Sequence, residues 1–305
     1  MRIVWSPAYE LDLGPHVWPT AKYRLVRERL LAAGALDPAE VLAPGPAAWE
    51  DLALVHTSDY LQKVRTGALS AVERWRLEVP WSPALVEGFR LMVGGTVAAA
   101  RAALDDGVAV HLGGGLHHAF PDHGEGFCLF NDVAVAIRRL QRDGAIRRAA
   151  VVDCDVHHGN GTAAVFAGDP TVFTFSIHQE ANYPAWKPPS DLDIGLDDGT
   201  GDAEYLARLD EALDRVFAAA PALVVYLAGA DPYEEDQLGG LALTKEGLRR
   251  RDVLVFERAR RAGVPLVVTL AGGYARRVED TVDIHVTTVL EARRVLDPVA
   301  RTSPA

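Results

Sequence analysis

Cysteine is nearly absent from this 305-residue sequence. Only Cys128 and Cys154 occur, each inside an apolar run. A disulfide framework is therefore excluded, and buried reduced thiols in a cytoplasmic protein are expected. Lysine is scarce as well, with Lys22, Lys63, Lys187 and Lys245 making up the whole set. The formal net charge is −11, and no basic patch offers phosphate contacts, which argues against nucleic acid as a partner. A cationic substrate would be drawn to such a surface, although the acidity serves solubility equally well. No stretch of ~20 uncharged apolar residues is present, so no membrane span is expected. The first residues, Met1-Arg2-Ile3-Val4-Trp5-Ser6, have no signal-peptide core and read as a first strand.

What is there is apolar alternation. With 49% hydrophobic residues the chain can bury a large core. Short β-branched runs at residues 2–5, 108–112, 149–153, 172–177, 223–228 and 266–270 read as strands buried on both faces. Between them, residues 83–103, 130–142, 203–219, 244–262 and 278–295 carry helical patterns, with Thr244 and Asn131-Asp132 as candidate N-terminal signals. This alternation predicts an α/β fold with a largely parallel sheet and helices on both faces. Residues 1–300 are expected to form a single catalytic domain, followed by a frayed tail at 301–305. Residues 7–19 read as irregular. Residues 179–201, rich in Pro, Gly and Asp, read as a long ordered loop of the kind that often carries function.

Four strand ends carry polar residues. The run 149–153 continues through Asp153, Asp155 and His157 at every second position, which period two would place on one side. Carboxylate plus imidazole suits a first-row metal, and a solvated strand end with a helix cap is the plainer alternative. Gly113-Gly114-Gly115-Leu116-His117-His118 follows another strand, and its histidines read as metal ligands, acid–base groups or a surface turn. Asp231, in Gly229-Ala230-Asp231-Pro232, reads as a third ligand or an Asx-type turn. Ala271-Gly272-Gly273-Tyr274 brings backbone close to a neighbour and then presents a hydroxyl. Such ends are where open α/β sheets place their ligand crevices.

In order along the chain, GGGLHHAF (113–120), GFCLFND (126–132), VVDCDVHHGNGT (151–162), GADPYEEDQLGG (229–240) and LAGGY (270–274) resemble the histone deacetylase family. The likeness covers most of the chain, from near residue 55 to about residue 274. The loop Pro188-Pro189-Ser190-Asp191-Leu192-Asp193-Ile194 and the short length look most like the class IV branch and its bacterial relatives, including acetoin utilisation proteins. The resemblance implies the arginase/deacetylase fold, an open, mostly parallel sheet of about eight strands. It implies Zn²⁺, or Fe²⁺ in its place, held by Asp155, His157 and Asp231, with metal-activated water attacking an amide carbonyl. His118 would be general base and then general acid, with His117 beside it on Asp153. Tyr274 would donate to the oxyanion. A structural K⁺ near Asp153 is also implied. Asn160 stands where many relatives have aspartate; it can orient an imidazole but brings no charge. Gly126, Phe127, Gly272 and Gly273 would border the substrate channel, and Tyr183 would form its other wall.

The implied reaction is removal of acetyl or other acyl groups from lysine, in peptides or proteins, or from a related small amine. The rivals are an acetylpolyamine amidohydrolase, a dimanganese ureohydrolase of the same fold, and a binding protein without catalysis. The ureohydrolase would want more carboxylates at these strand ends, and none of the constellation that a silent protein would lose is missing. The sequence does not give the oligomeric state.

Overall fold

The computed structural model describes residues 1–297; the expected tail at 301–305 lies outside them. Eight strands form one sheet: β1 (Arg2–Val4), β2 (Val41–Leu42), β3 (Val108–His111), β4 (Ala149–Asp153), β5 (Val172–Gln179), β6 (Leu192–Leu196), β7 (Val224–Leu227) and β8 (Leu266–Thr269). Their order is β2-β1-β3-β8-β7-β4-β5-β6. Every pairing is parallel. The helices are α1 (Lys22–Ala32), α2 (Trp49–Leu52), α3 (Ser58–Thr66), α4 (Ala71–Leu77), α5 (Pro83–Asp106), α6 (Asp132–Arg142), α7 (Asn160–Phe166), α8 (Asp202–Ala218), α9 (Lys245–Ala262) and α10 (Val278–Leu296).

The continuous apolar runs are explained by burial on both faces. Val108, Val110, Val152, Tyr226 and Val268 point into one core with α8, α9 and α10. Ala109, Val151, Val225 and Val267, one residue out of phase, point into a second with α6 and the end of α5. Period two thus divides each strand between two helical layers. The helix starts carry their expected caps: Asn131 accepts from the amide of Ala134 at 2.9 Å, and Thr244 from that of Gly247 at 2.9 Å. No helix among the described residues is long and apolar enough to cross a membrane.

The segment 179–201 is not one loop. It contains the edge strand β6, paired through Phe175–Leu192 to Gln179–Leu196 with β5 alone. Leu192, Ile194 and Leu196 alternate with Asp193 and Gly195, so the strand buries one side only. Helix α1 follows the irregular residues 7–19, which hold one 3₁₀ turn at Pro7–Tyr9. Its buried stripe is Lys22, Tyr23, Val26 and Leu30, and a lysine in that stripe hides the pattern.

Candidate active site

The strands β3, β8, β7 and β4 are consecutive in the sheet, so the four marked strand ends share one edge. After β3, Gly114 and Gly115 adopt left-handed φ values of 70° and 83°. Asp132, in the first turn of α6, accepts from the amides of Gly115 at 3.0 Å and Leu116 at 2.6 Å. These bonds fix the turn that delivers His117 and His118. After β4 the chain leaves the strand at Asp153, so period two does not explain how Asp155 and His157 converge. Side-chain turns do: Asp153 Oδ1 accepts from Asp155 N at 3.1 Å, and Asp155 Oδ1 from His157 N at 3.0 Å.

Asp155, His157 and Asp231 place one ligand atom each within 4.8 Å of one another, all three buried. Asp231 Oδ1 accepts from Val156 N at 2.9 Å, whereas Asp231 Oδ2 makes no hydrogen bond, although His157 Nδ1 is 3.4 Å away. Burial, then the Asp155 charge, pushes the Asp231 carboxyl up to about 7. A buried carboxylate oxygen without a donor, beside a second carboxylate and an imidazole, fits a divalent ion of borderline hardness such as Zn²⁺ or Fe²⁺. Gly272 belongs to the same construction. Its amide donates to Asp155 Oδ2 at 2.8 Å, and a Cβ there would lie 1.8 Å from Asp231 Oδ2.

The two histidines are backed differently. His117 Nδ1 pairs with Asp153 Oδ2 at 2.7 Å, and His118 Nδ1 with Asn160 Oδ1 at 2.7 Å; their Nε2 atoms are 3.1 Å apart. Burial opposes the His117 imidazolium, but Asp153 and Asp155 outweigh it and hold the group up at about 9. Burial, then the neighbouring His117 and His157, drives His118 well below the usual histidine range. Burial first, and the carboxylates next, keep the Tyr274 hydroxyl protonated, well above its ordinary range.

These groups open onto a cavity of about 200 Å³. Its polar lining includes His117, His118, Asp155, His157 and Tyr274; Phe127, Tyr183, Trp18 and Leu238 supply ring and apolar surface. Gly126 (φ 51°) and Phe127 (φ 68°) are both left-handed, an uncommon state for a bulky residue, and the Phe127 ring meets Tyr274 edge-on at 6.1 Å. The Tyr183 ring meets His118 edge-on at 5.0 Å. Asp153 and Asn160 stand behind the histidines. Gly273, expected in the channel, is not among the lining residues; a Cβ on it would meet Thr281 Cγ2 at 2.8 Å, on the far side from the cavity.

Three residues escaped the sequence reading. Lys22, fully buried, donates through Nζ to Ala271 O at 2.8 Å and lies beside Tyr274. Burial lowers it to about 8 against the pull of Asp231 and Asp155. Arg251, also fully buried, donates through Nη1 to Gly229 O at 2.6 Å and Cys154 O at 3.3 Å, tying the loops that lead to Asp231 and Asp155. Glu125 bonds Asn160. The spacing of Lys22, Val26 and Leu30 on one helix face was the available sign of a buried lysine.

Comparison with known proteins gives one family over most of the chain. A histone deacetylase domain model matches residues 16–290. An uncharacterised protein from Picosynechococcus sp. is 42% identical over 287 residues, covering 93% of this chain and 95% of its own. Histone deacetylase 2 of Arabidopsis thaliana is 32% identical, covering 93% of this chain and 78% of its own. The acetoin utilization protein AcuC of Bacillus subtilis is 33% identical, covering 79% and 68%. The crystal structure of the HDA15 HD domain superposes with a TM-score of 0.78 at 24% identity, covering 98% of this chain and 90% of that one, and shows the shared fold.

Proposed function

Because this chain belongs to the histone deacetylase family, we propose that it is a metal-dependent amidohydrolase releasing acetyl or other acyl groups from lysine side chains or related amines. The observation that carries this reading is the buried Asp155, His157 and Asp231 cluster, with its undonated Asp231 Oδ2, beside two histidines and a tyrosine on one cavity. A Zn²⁺ or Fe²⁺ ion held by those three residues supplies Lewis acidity and lowers the pKa of water.

The chain's own groups do the rest. His118, held neutral, accepts a proton from the attacking water at Nε2 and returns it to the leaving amine. His117, kept protonated by Asp153, contributes positive charge next to it. Tyr274 donates its hydroxyl hydrogen to the oxyanion that develops on the amide carbonyl. Phe127 and Tyr183 flank the apolar stem of the acylated amine. K⁺ against Asp153, the class IV branch and a cytoplasmic setting belong to the same proposal. The first two rest on the motif resemblance, the last on the scarcity of cysteine. Among the described residues a single cluster has ligand geometry, which favours one ion over the two of a ureohydrolase.

The test is release of acetate and longer acids from acyl-lysine peptides and acetylated polyamines, with the protein loaded with Zn²⁺ or Fe²⁺. Tyr274→Phe should keep stoichiometric metal and lose roughly 100-fold or more in kcat. Full metal binding with no turnover on any of these amides would sink the proposal.

A further inference from the structure

Behind His118 the structure holds a second layer. Asn160 is 1% exposed. Its Oδ1 receives His118 Nδ1 at 2.7 Å and the Gly161 amide at 3.1 Å, while its Nδ2 donates to Glu125 Oε1 at 2.7 Å. The second Glu125 oxygen lies 3.4 Å from His123 Nε2. Glu125 is half-buried and not among the cavity-lining residues.

An amide has two nearly isosteric ends with opposite hydrogen-bonding character. Turned one way, Asn160 offers oxygen to His118 Nδ1; turned the other, it offers N–H and demands a lone pair there. Only the first leaves His118 a lone pair on Nε2, the atom that borders the cavity and lies 3.1 Å from His117 Nε2, where a base must have it. The carboxylate of Glu125 accepts hydrogen bonds and cannot donate them while ionised, so it selects that orientation. The Gly161 amide alone supports it with a weaker, uncharged bond.

We infer that Glu125 is a positioning residue for His118: through Asn160 it fixes the imidazole tautomer and supplies, one residue further out, the negative charge that Asn160 lacks. This rests on the reading of His118 as the proton carrier. It carries a reciprocal consequence. Asn160→Asp, which restores a carboxylate directly on His118, also sets it against Glu125 at the present contact of 2.7 Å, so the two charges repel. The substitution should therefore help only when Glu125 is neutralised.

The experiment compares Glu125→Ala, Glu125→Gln, Asn160→Asp and the Asn160→Asp/Glu125→Gln pair. Imidazole ¹⁵N shifts of His118 are read in the metal-free protein, and kcat and KM in the loaded one. Wild type and Glu125→Gln, whose amide oxygen still accepts from Asn160, should hold His118 as the Nδ1–H tautomer. Glu125→Ala should show mixed tautomers and lose roughly tenfold in kcat with little change in KM. Asn160→Asp should fall below wild type and the pair should recover. A single unchanged tautomer in Glu125→Ala, or Asn160→Asp equally active with Glu125 present and neutralised, would overturn the inference. A wild type that shows the tautomer but no turnover would overturn the proposed reaction and leave the positioning intact.

Discussion

At the scale of single residues, the site is crowded to the point where one methyl group matters. Gly272 separates two carboxylates by backbone alone, and a Cβ would stand 1.8 Å from Asp231 Oδ2 and 2.5 Å from Asp155 Oδ2. Both carboxylates are buried, and Asp155 is already held by the Gly272 amide. Gly272→Ala should weaken Zn²⁺ binding by roughly 10- to 100-fold, the range for disturbing groups that orient a ligand. Calorimetric titration of the ion checks it, and wild-type affinity would show that the carboxylates can move. The residues proposed as ligands stand out in the sequence because each lies within four residues of a strand end. For Lys22 the helical spacing signalled burial but not its partner, because its acceptor on Ala271 is 249 positions away and no local pattern encodes such a pairing.

At the scale of elements, the core strands were read almost to their ends, because burial on both faces leaves an unbroken apolar run. The edge strands β2 and β6 were not, since pairing on one side leaves a polar-interrupted pattern within a turn-rich stretch. The convergence of Asp155 and His157 was expected from strand period and arises from side-chain turns beyond the strand. What holds those turns is helix α9. Arg251 donates to carbonyls of the β4 and β7 loops and pairs with Asp252 at 2.8 Å. Asp252 in turn accepts from Tyr226 at 2.5 Å and from Thr288 at 2.6 Å. Removing the guanidinium strands a buried carboxylate. Arg251→Met should cost roughly 3–5 kcal/mol of folding stability, as for a broken buried ion pair. Arg251→Lys should fold but bind Zn²⁺ more weakly, because one ammonium cannot serve both the two carbonyls, which Nη1 bonds, and the Asp252 carboxylate, which Nε and Nη2 bond. Denaturant melts and metal titration separate the two effects; an Arg251→Met chain as stable as wild type would remove α9 from this account.

At the scale of the whole molecule, several histidines are buried as neutral groups outside the cavity, which makes the fold acid-sensitive. His56 bonds Phe120 O at 2.9 Å and accepts from the Asn131 amide at 3.1 Å. Burial lowers it to about 4, outweighing its bond to Phe120 O. His111 is lowered by burial to about 3 between Tyr9 and Thr96. An unfolded histidine titrates near ~6.5. Between that value and the native one the unfolded chain binds more protons, so stability rises with pH. The contribution is complete above about 6.5, drains away as pH falls, and levels off below about 4 for His56 and about 3 for His111. At a pH of about 5 each should cost on the order of 2 kcal/mol. His56→Gln keeps a donor and an acceptor but cannot titrate. Its unfolding free energy, measured from pH ~7.5 down to ~5, should therefore fall less steeply than that of wild type. Parallel slopes would mean that His56 is already protonated in the native state or stays neutral in the unfolded one, and the acid sensitivity would then have to come from the carboxylates at the sheet edge.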